Sequence, residues 1–383
     1  MAKNNENLSV AFLFDDTLDS NDAVAQYVRA LGAWLSDQGH NVRYLVGETK
    51  LKTWSGGKIY SLSKNQKVYF NGNKLSMPLP TPSSRIQSAL ASGDLDILHV
   101  MMPYSPFLAH KAIKLTTADV VIVGTFHIFP AGWLAVAGSK VLRWWCRQSL
   151  QKFSQVVSVS AAAASFAEST FKLDTKIIPN PVDISRFKSG SIPKPKCHIV
   201  FLGRLVKRKG CILLVKAFAE LLKNQPEAKL TIAGDGPQKA KLMRLVNRLG
   251  ISRQVDFLGH IDERIKPEIL ASADIACFPS LYGESFGMVL IEAMAANCGV
   301  VLAGDNPGYR TVLADQPDLL VDVKNQQLFA SRLEELLTDK IKAKRLHEWQ
   351  QIHVRQYDIN VVGCQILDVY YQAIAKAAKN SHN

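Results

Sequence analysis

Glu284 and Glu292 stand at the two ends of the segment Glu284-Ser285-Phe286-Gly287-Met288-Val289-Leu290-Ile291-Glu292. The run Asp274 to Pro279 before it reads as a strand, Tyr282-Gly283 as a turn, and Met288 to Ala296 as a helix. A strand, a glycine turn and a helix start bring free backbone N–H groups and the positive end of a helix dipole together, which suits an anion. Glu284 would stand at the mouth of that turn and Glu292 about two helical turns further on. Taken alone, the segment also fits an ordinary strand–loop–helix with two solvated glutamates. Arg204 and Lys209 add cations on a turn after another strand, and with the backbone N–H groups they could neutralise a diphosphate. Glu292 could then accept hydrogen bonds from ribose hydroxyls and Glu284 from those of a sugar. A sugar diphosphate leaving group needs this kind of stabilisation as its glycosidic bond breaks. Cations and helix-end amides supply it without a metal, and no metal ligand set is expected.

The elements that carry these residues alternate. Ser9–Phe14 reads as a buried strand and Ala23–Gln38 as a helix with Val24, Tyr27, Val28, Leu31 and Leu35 on one side. Val42–Val46 is the next strand, and Asp96–Val100 and Asp119–Thr125 follow. His127 comes just past the last of these, at the end of a parallel strand where ligands bind. After Ser189–Lys196, which has the composition of a linker, the alternation restarts with the strand His198–Leu202. The pattern predicts an α/β chain with two Rossmann-like doubly wound domains, 1–188 and 189–357, facing a central cleft. The first loop, Asp15–Asp22, has no Gly-x-Gly-x-x-Gly fingerprint.

Two segments stand apart from this frame. Residues 49–93 hold seven Lys/Arg and no acid, interleaved with Trp54, Tyr60, Tyr69 and Phe70, and Asn71-Gly72-Asn73 suggests a hairpin turn. They read as a solvated basic insertion or as a surface facing anionic lipid. Ser139–Phe153 is amphipathic, with Leu142, Trp145, Cys146, Leu150 and Phe153 on the stripe expected to pack inward and Lys140, Arg143, Trp144 and Arg147 opposite. A core-packed helix and a membrane-touching one both fit.

At 383 residues with 47% apolar and 21% charged side chains, the chain is long enough for two cores and globular in composition. Its net charge of +13 favours anionic partners. The excess is spread as +6 over residues 1–187 and +7 over the rest, with no dense basic tail, so nucleic acid is not the expected partner. The six cysteines are scattered without a Cys-x-x-Cys pair, as in a reducing cytosol. The longest apolar run, Ile128–Gly138, contains a proline and is too short to span a bilayer. A cytoplasmic chain is expected, peripheral on the inner face of the plasma membrane if it meets lipid.

Several stretches, in their order, resemble the family 4 glycosyltransferases of the GT-B fold. They are Thr125-Phe126-His127, Ile178-Pro179-Asn180 with Val182-Asp183, Phe201-Leu202-Gly203-Arg204 with Arg208-Lys209-Gly210, Gly234-Asp235-Gly236-Pro237, Phe257-Leu258-Gly259 and the Glu284–Glu292 segment. Within that family the chain is most similar to bacterial phosphatidylinositol mannosyltransferases. The resemblance implies retaining, metal-independent transfer from a GDP- or UDP-linked sugar, with no cofactor beyond this co-substrate. It implies Arg204 and Lys209 on the diphosphate, and Glu284 with the backbone of Ser285, Phe286, Gly287 and Met288 on sugar and phosphate. Glu292 would hold the ribose, Ile261 and Glu263 the base, and His127 the sugar near the reacting carbon, so that His127 and Glu284 are the catalytic candidates. Asp22 would lie at the donor and Asp15 and Asp19 at the acceptor. A final helix, about 358–383, would cross back to the first domain.

Three departures qualify the match. Asn21-Asp22-Ala23 replaces a Gly-Gly pair in the first loop, which calls for a different loop path beside a phosphate or a weaker contact with it. Glu263 stands for a base-reading aspartate. Ile128-Phe129-Pro130-Ala131-Gly132 is uncharged where the relatives carry a lysine suited to a phosphoinositol head group. The leading expectation is hexosyl transfer, mannose favoured, to a membrane lipid such as phosphatidylinositol. A soluble saccharide or sugar-phosphate acceptor is the alternative within the fold, and a non-catalytic nucleotide- or nucleic-acid-binding protein the alternative outside it.

Overall fold

The computed structural model describes residues 7–20, 22–70, 73–127, 133–187 and 197–380. Readings that fall on Asn21, Asn71-Gly72, Ile128–Gly132 and the linker Ser189–Lys196 lie outside them. The chain forms two compact units, one of Met1–Pro181 with Ile359–Asn383 and one of Val182–Asp358. The change of unit at Pro181 comes ahead of the linker-like stretch.

The first unit begins with β1 (Ser9–Phe14), α1 (Ala23–Asp37) and β2 (Asn41–Val46), followed by β3 (Thr53–Trp54), β4 (Gly57–Ser61), β5 (Asn65–Phe70) and β6 (Asn73–Pro78). Then come α2 (Ser83–Leu90), β7 (Ile97–Val100), α3 (Leu108–Leu115), β8 (Val121–Phe126), α4 (Trp133–Trp145), α5 (Arg147–Leu150), β9 (Gln155–Ser158), α6 (Ala161–Phe166) and β10 (Lys176–Ile177). Eight strands form one sheet in the order β10-β9-β8-β7-β1-β2-β4-β3, parallel except for the antiparallel β3–β4 pair. β1 is apolar along its length because both its faces are covered. Val10, Phe12 and Phe14 pack with Tyr27, Val28 and Leu31 of α1, while Ala11 and Leu13 pack on the other side with Ala109 and Ile113 of α3.

Residues 49–93 are therefore only partly an insertion, since β4 extends the main sheet beside β2 and only β5 and β6 form a sheet of their own. The helix expected over 139–153 is also different. It starts earlier, stops at Trp145 and resumes as α5, with buried Cys146 between. Leu142, Cys146 and Leu150 face the core as expected. Trp145 does not and is 60% exposed, because at about 100° per residue it falls on the edge of that stripe, well round the helix from buried Cys146.

The second unit holds α7 (Ile184–Phe187), β11 (His198–Leu202), α8 (Cys211–Leu221), β12 (Lys229–Ala233), α9 (Lys239–Arg248), β13 (Val255–Gly259), α10 (Lys266–Ala271), β14 (Ile275–Phe278) and α11 (Met288–Ala295). It closes with β15 (Val300–Gly304), α12 (Pro307–Leu313), β16 (Leu320–Val321), α13 (Gln326–Thr338) and α14 (Lys340–His353). Its six strands form a sheet in the order β13-β12-β11-β14-β15-β16, with every pair parallel. The order reverses at β11 and β14, and in a doubly wound sheet the strand ends at such a switch point carry the ligand loops.

The last helix, α15 (Ile359–Asn380), belongs to the first unit. Val362, Ile366, Val369, Tyr370 and Ala373 recur at helical spacing and join the α1 side of the core. Trp34 of α1 donates its indole N–H to Asn360 (3.0 Å) and lies against Gly363, where a side chain would strike the indole. Tyr370 reaches His99 of β7 (2.7 Å), whose other ring nitrogen meets Thr125 (2.7 Å). Among the cysteines Cys146, Cys211, Cys277 and Cys298 are buried, whereas Cys364 is exposed.

Candidate active site

In the second unit, the loop after β11 and the loop after β14 are laced together. Leu281 donates its N–H to the carbonyl of Arg208 (2.8 Å). Gly210, at φ +69°, lies so close to the Pro279 carbonyl that any Cβ would collide with it. This lacing brings two cations onto one carboxylate oxygen. Arg208 Nη1 is 2.7 Å and Lys209 Nζ 2.9 Å from Glu284 Oε1, and the Glu284 side chain is only 13% exposed. Burial alone would push the Glu284 carboxyl up, but Lys209 and Arg208 outweigh it and hold it below its ordinary range. The group is a carboxylate at neutral pH.

The support behind Glu284 comes from α12. Gly308 packs against the Glu284 backbone with no room for a Cβ. Buried Tyr309 shares a hydrogen bond with Ser280 (3.1 Å), and Asn306 donates to the Ser280 carbonyl (3.0 Å). Gly287 (φ +122°) opens α11, while Phe286 turns into the core against Tyr357. Ser285 and Met288 on either side are half-buried. Glu292, one face further along α11, is buried and receives Lys266 Nζ at 2.7 Å. Lys266 also contacts Glu263 Oε2 at 2.5 Å, so one buried ammonium joins two carboxylates. Burial pushes Glu292 up against the pull of Lys266, and Lys266 is raised because Glu292 and Glu263 overcome its own burial. Ile261 is half-buried and Arg204 exposed.

The structure thus brings Lys209, Glu284, Glu263 and Glu292 into two connected ionic groups. Sequence reasoning missed Arg208, Lys266, Asn306, Gly308 and Tyr309. Lys266 had one legible signal, its position four residues before buried Leu270 on the inward side of α10.

In the first unit, His127 follows β8, is buried, and sits edge-on to the Tyr27 ring at 4.9 Å. Burial pushes its imidazole down to about 3, so it is neutral at physiological pH. Its Nε2 has no hydrogen-bond partner among the described residues. A buried ring nitrogen left in that state suits a ligand hydroxyl.

The three acids of the first loop, expected at the donor and acceptor, each have partners within the unit. Asp22 caps α1, accepting from Val24 N (2.9 Å) and Ala25 N (3.0 Å). Its negative charge occupies the helix start at which a phosphate was expected, and the dipole favours it there. Asp15 is buried and accepts from Ser105 and from Ala109 N at the start of α3, with burial pushing it up to about 6. Asp19 ties down the next loop through Thr49 (2.8 Å) and Lys50 N (2.9 Å). All three have structural partners within the unit. Asp22→Ala is expected to cost about 1 kcal/mol of stability through the lost cap, and urea unfolding of the variant checks it.

Two family descriptions cover the chain. Residues 24–186 match "Glycosyltransferase Family 4" and residues 183–351 match "Glycosyl transferases group 1". A phosphatidyl-myo-inositol mannosyltransferase of Mycolicibacterium smegmatis is 31% identical over 367 residues, which is 92% of this chain and 91% of that protein. A GDP-mannose-dependent monoacylated alpha-(1-6)-phosphatidylinositol monomannoside mannosyltransferase of Corynebacterium glutamicum is 28% identical over 77% of this chain and 81% of its own length. In fold, the chain is similar to Anabaena HepE in complex with UDP-glucose, at a TM-score of 0.70 and 18% identity, over 94% of this chain and 98% of that one.

Proposed function

The chain belongs to the glycosyltransferases of the GT-B fold, and from that premise we propose that it transfers mannose from GDP-mannose to a phosphatidylinositol-type membrane lipid. The observation that carries this reading is Glu284, only 13% exposed yet held ionised by Arg208 and Lys209 beside the start of α11. A nucleoside diphosphate entering there would meet Arg204, Arg208 and Lys209 and the first backbone N–H groups of α11. Those groups stabilise the charge that develops on the leaving phosphate. Glu292 gives Oε1 to Lys266, and its other oxygen is the acceptor for a ribose hydroxyl. Glu263, with a half-exposed side chain, offers a carboxylate to the base. Guanine presents two adjacent N–H donors to such a group and uracil only one, which favours GDP over UDP, with Ile261 against the ring. His127, neutral and with Nε2 open, is a hydrogen-bonding contact for the sugar near the reacting carbon. The anomeric configuration is retained, and the cations take the place of a metal.

A second reading keeps this chemistry but moves the sugar to a soluble saccharide. The carboxylate of Asp22 at the start of α1 favours it, since an anionic head group would be repelled there. Both are tested by supplying radiolabelled GDP-mannose or UDP-glucose with phosphatidylinositol vesicles, or with soluble saccharides. Label is expected to enter the organic phase with GDP-mannose and vesicles, at a rate that EDTA leaves unchanged. Label only in a soluble product would establish the second reading. Loss of activity with EDTA that magnesium restores would overturn metal independence. The chain would act at the inner face of the cytoplasmic membrane. No described helix is long and apolar enough to cross it.

A further inference from the structure

On α4 the first unit leaves a large apolar surface uncovered. Trp144 is 76% exposed, Trp145 60% and Val141 63%, while Leu142 and Cys146 of the same turns face the core. Val141 and Trp145 are four residues apart and lie in one row, with Trp144 next to it. Lys140, Arg143 and Arg147, at the matching spacing, lie exposed on the other side of Trp144. The outward side of this helix is thus divided between an indole-rich half and a cationic half.

We infer that the Val141–Trp144–Trp145 face of α4, with Lys140, Arg143 and Arg147, seats the first unit on an anionic lipid bilayer. Charge decides the occupant. Residues 120–167 contain Lys140, Arg143, Arg147 and Lys152 and not one Asp or Glu. A protein interface usually alternates its charges at the rim, whereas an acid-free, cationic and indole-rich helix matches a surface of uniform negative potential. Indole rings settle at the depth of the head groups, because one edge is polar and the rest apolar. The stems of Lys and Arg lie along the apolar boundary while their charges reach lipid phosphates. The helix lies in the interface and does not span it.

This deepens the lipid-acceptor reading and rests on it for its purpose, since a lipid acceptor has to be met at its bilayer. The test is sedimentation of the full chain with vesicles of phosphatidylcholine alone or mixed with phosphatidylglycerol. Binding is expected only with the anionic vesicles, and high salt is expected to weaken it. Trp144→Ala with Trp145→Ala, and separately Arg143→Glu with Arg147→Glu, should each lower the partition coefficient by about tenfold or more. Both pairs are exposed, so unchanged melting is expected to accompany the loss. Wild-type vesicle binding by either double variant overturns the inference. So does a fall in the oligomeric mass of the tryptophan variant by light scattering, which would make this face a contact between copies. Transfer to detergent-dispersed phosphatidylinositol separates the two readings. If the wild type binds vesicles but glycosylates no dispersed lipid, the acceptor reading fails and the docking surface stands. If the tryptophan variant keeps full transfer to dispersed lipid but loses it on vesicles, both stand.

Discussion

Lys209→Ala is expected to lower the rate of sugar transfer by about 10²- to 10³-fold, the usual cost of removing one preorganised charge-stabilising group. Two effects combine. On the proposed function the variant loses a cation for the leaving diphosphate, and Glu284 loses the partner that contributes most to keeping it ionised. Arg208 remains at 2.7 Å, so Glu284 stays charged at neutral pH but titrates at a higher pH than before. Its pKa is depressed in the native protein, so activity that needs the carboxylate is present at neutral pH and lost as the pH falls through that low value. In the variant the acid limb of the pH–rate profile should move upward. Initial rates across a pH series measure both effects. A variant with wild-type turnover would sink the assignment of Lys209, and an unmoved acid limb would sink its coupling to Glu284.

The largest expected effect on stability comes from Lys266→Met. Lys266 is 5% exposed and its ammonium is shared by Glu292, itself 6% exposed, and Glu263. Removing one partner of a buried ion pair leaves an uncompensated charge, at a cost of about 3–5 kcal/mol. The native contribution of Lys266 is constant below neutral pH, because its pKa is raised and it stays protonated there. Glu292 changes this in the variant. Burial already pushes its pKa up, and without the ammonium it rises further. An acid whose native pKa is raised destabilises the fold when ionised, so the deficit should shrink on acidification and grow towards neutral pH. Urea unfolding of both proteins at pH 5 and 7.5 reads the difference, and a pH-independent deficit would mean packing loss alone. Adding Glu292→Gln should recover a large part of the loss at neutral pH.

Much of this architecture was legible in the sequence because the strands are buried on both faces and read as unbroken apolar runs. Ser9–Phe14 is such a strand, and the strand–turn–helix around Glu284 was recoverable from Gly283, Gly287 and the run beyond them. What stayed hidden depends on contacts between residues distant in sequence. Three cations in a row, Lys207-Arg208-Lys209, do not reveal which will bend back onto Glu284, because the lacing of Arg208 to Leu281 decides it. Lys266 reads as a surface lysine until α10 turns it toward Glu292. The partners of Asp15 and Asp19 were hidden because Ser105, Ala109, Thr49 and Lys50 lie far away in sequence, whereas Asp22 caps the helix that follows it directly. Trp145 is on the edge of the inward stripe, where residue type alone does not say whether a large ring is covered.

The path of the chain through its two units has a consequence for biosynthesis. Val182 and Asp358, the first and last residues of the second unit, are bridged to each other, with Val182 N–H donating to Tyr357 (2.8 Å). The second unit is therefore an insertion with adjoining ends, complete once Asp358 has been made. The first unit, although most of it comes earlier in the chain, lacks α15 until residues 359–380 have been made, and with it Asn360 and Tyr370, which bond Trp34 and His99. The order of folding during synthesis should run against the order of the sequence, with the later half settled first. Until then the α1 side of the nascent sheet lacks its α15 cover, so chain arrest or truncation before α15 would leave a finished second unit tethered to an unfinished, aggregation-prone partner.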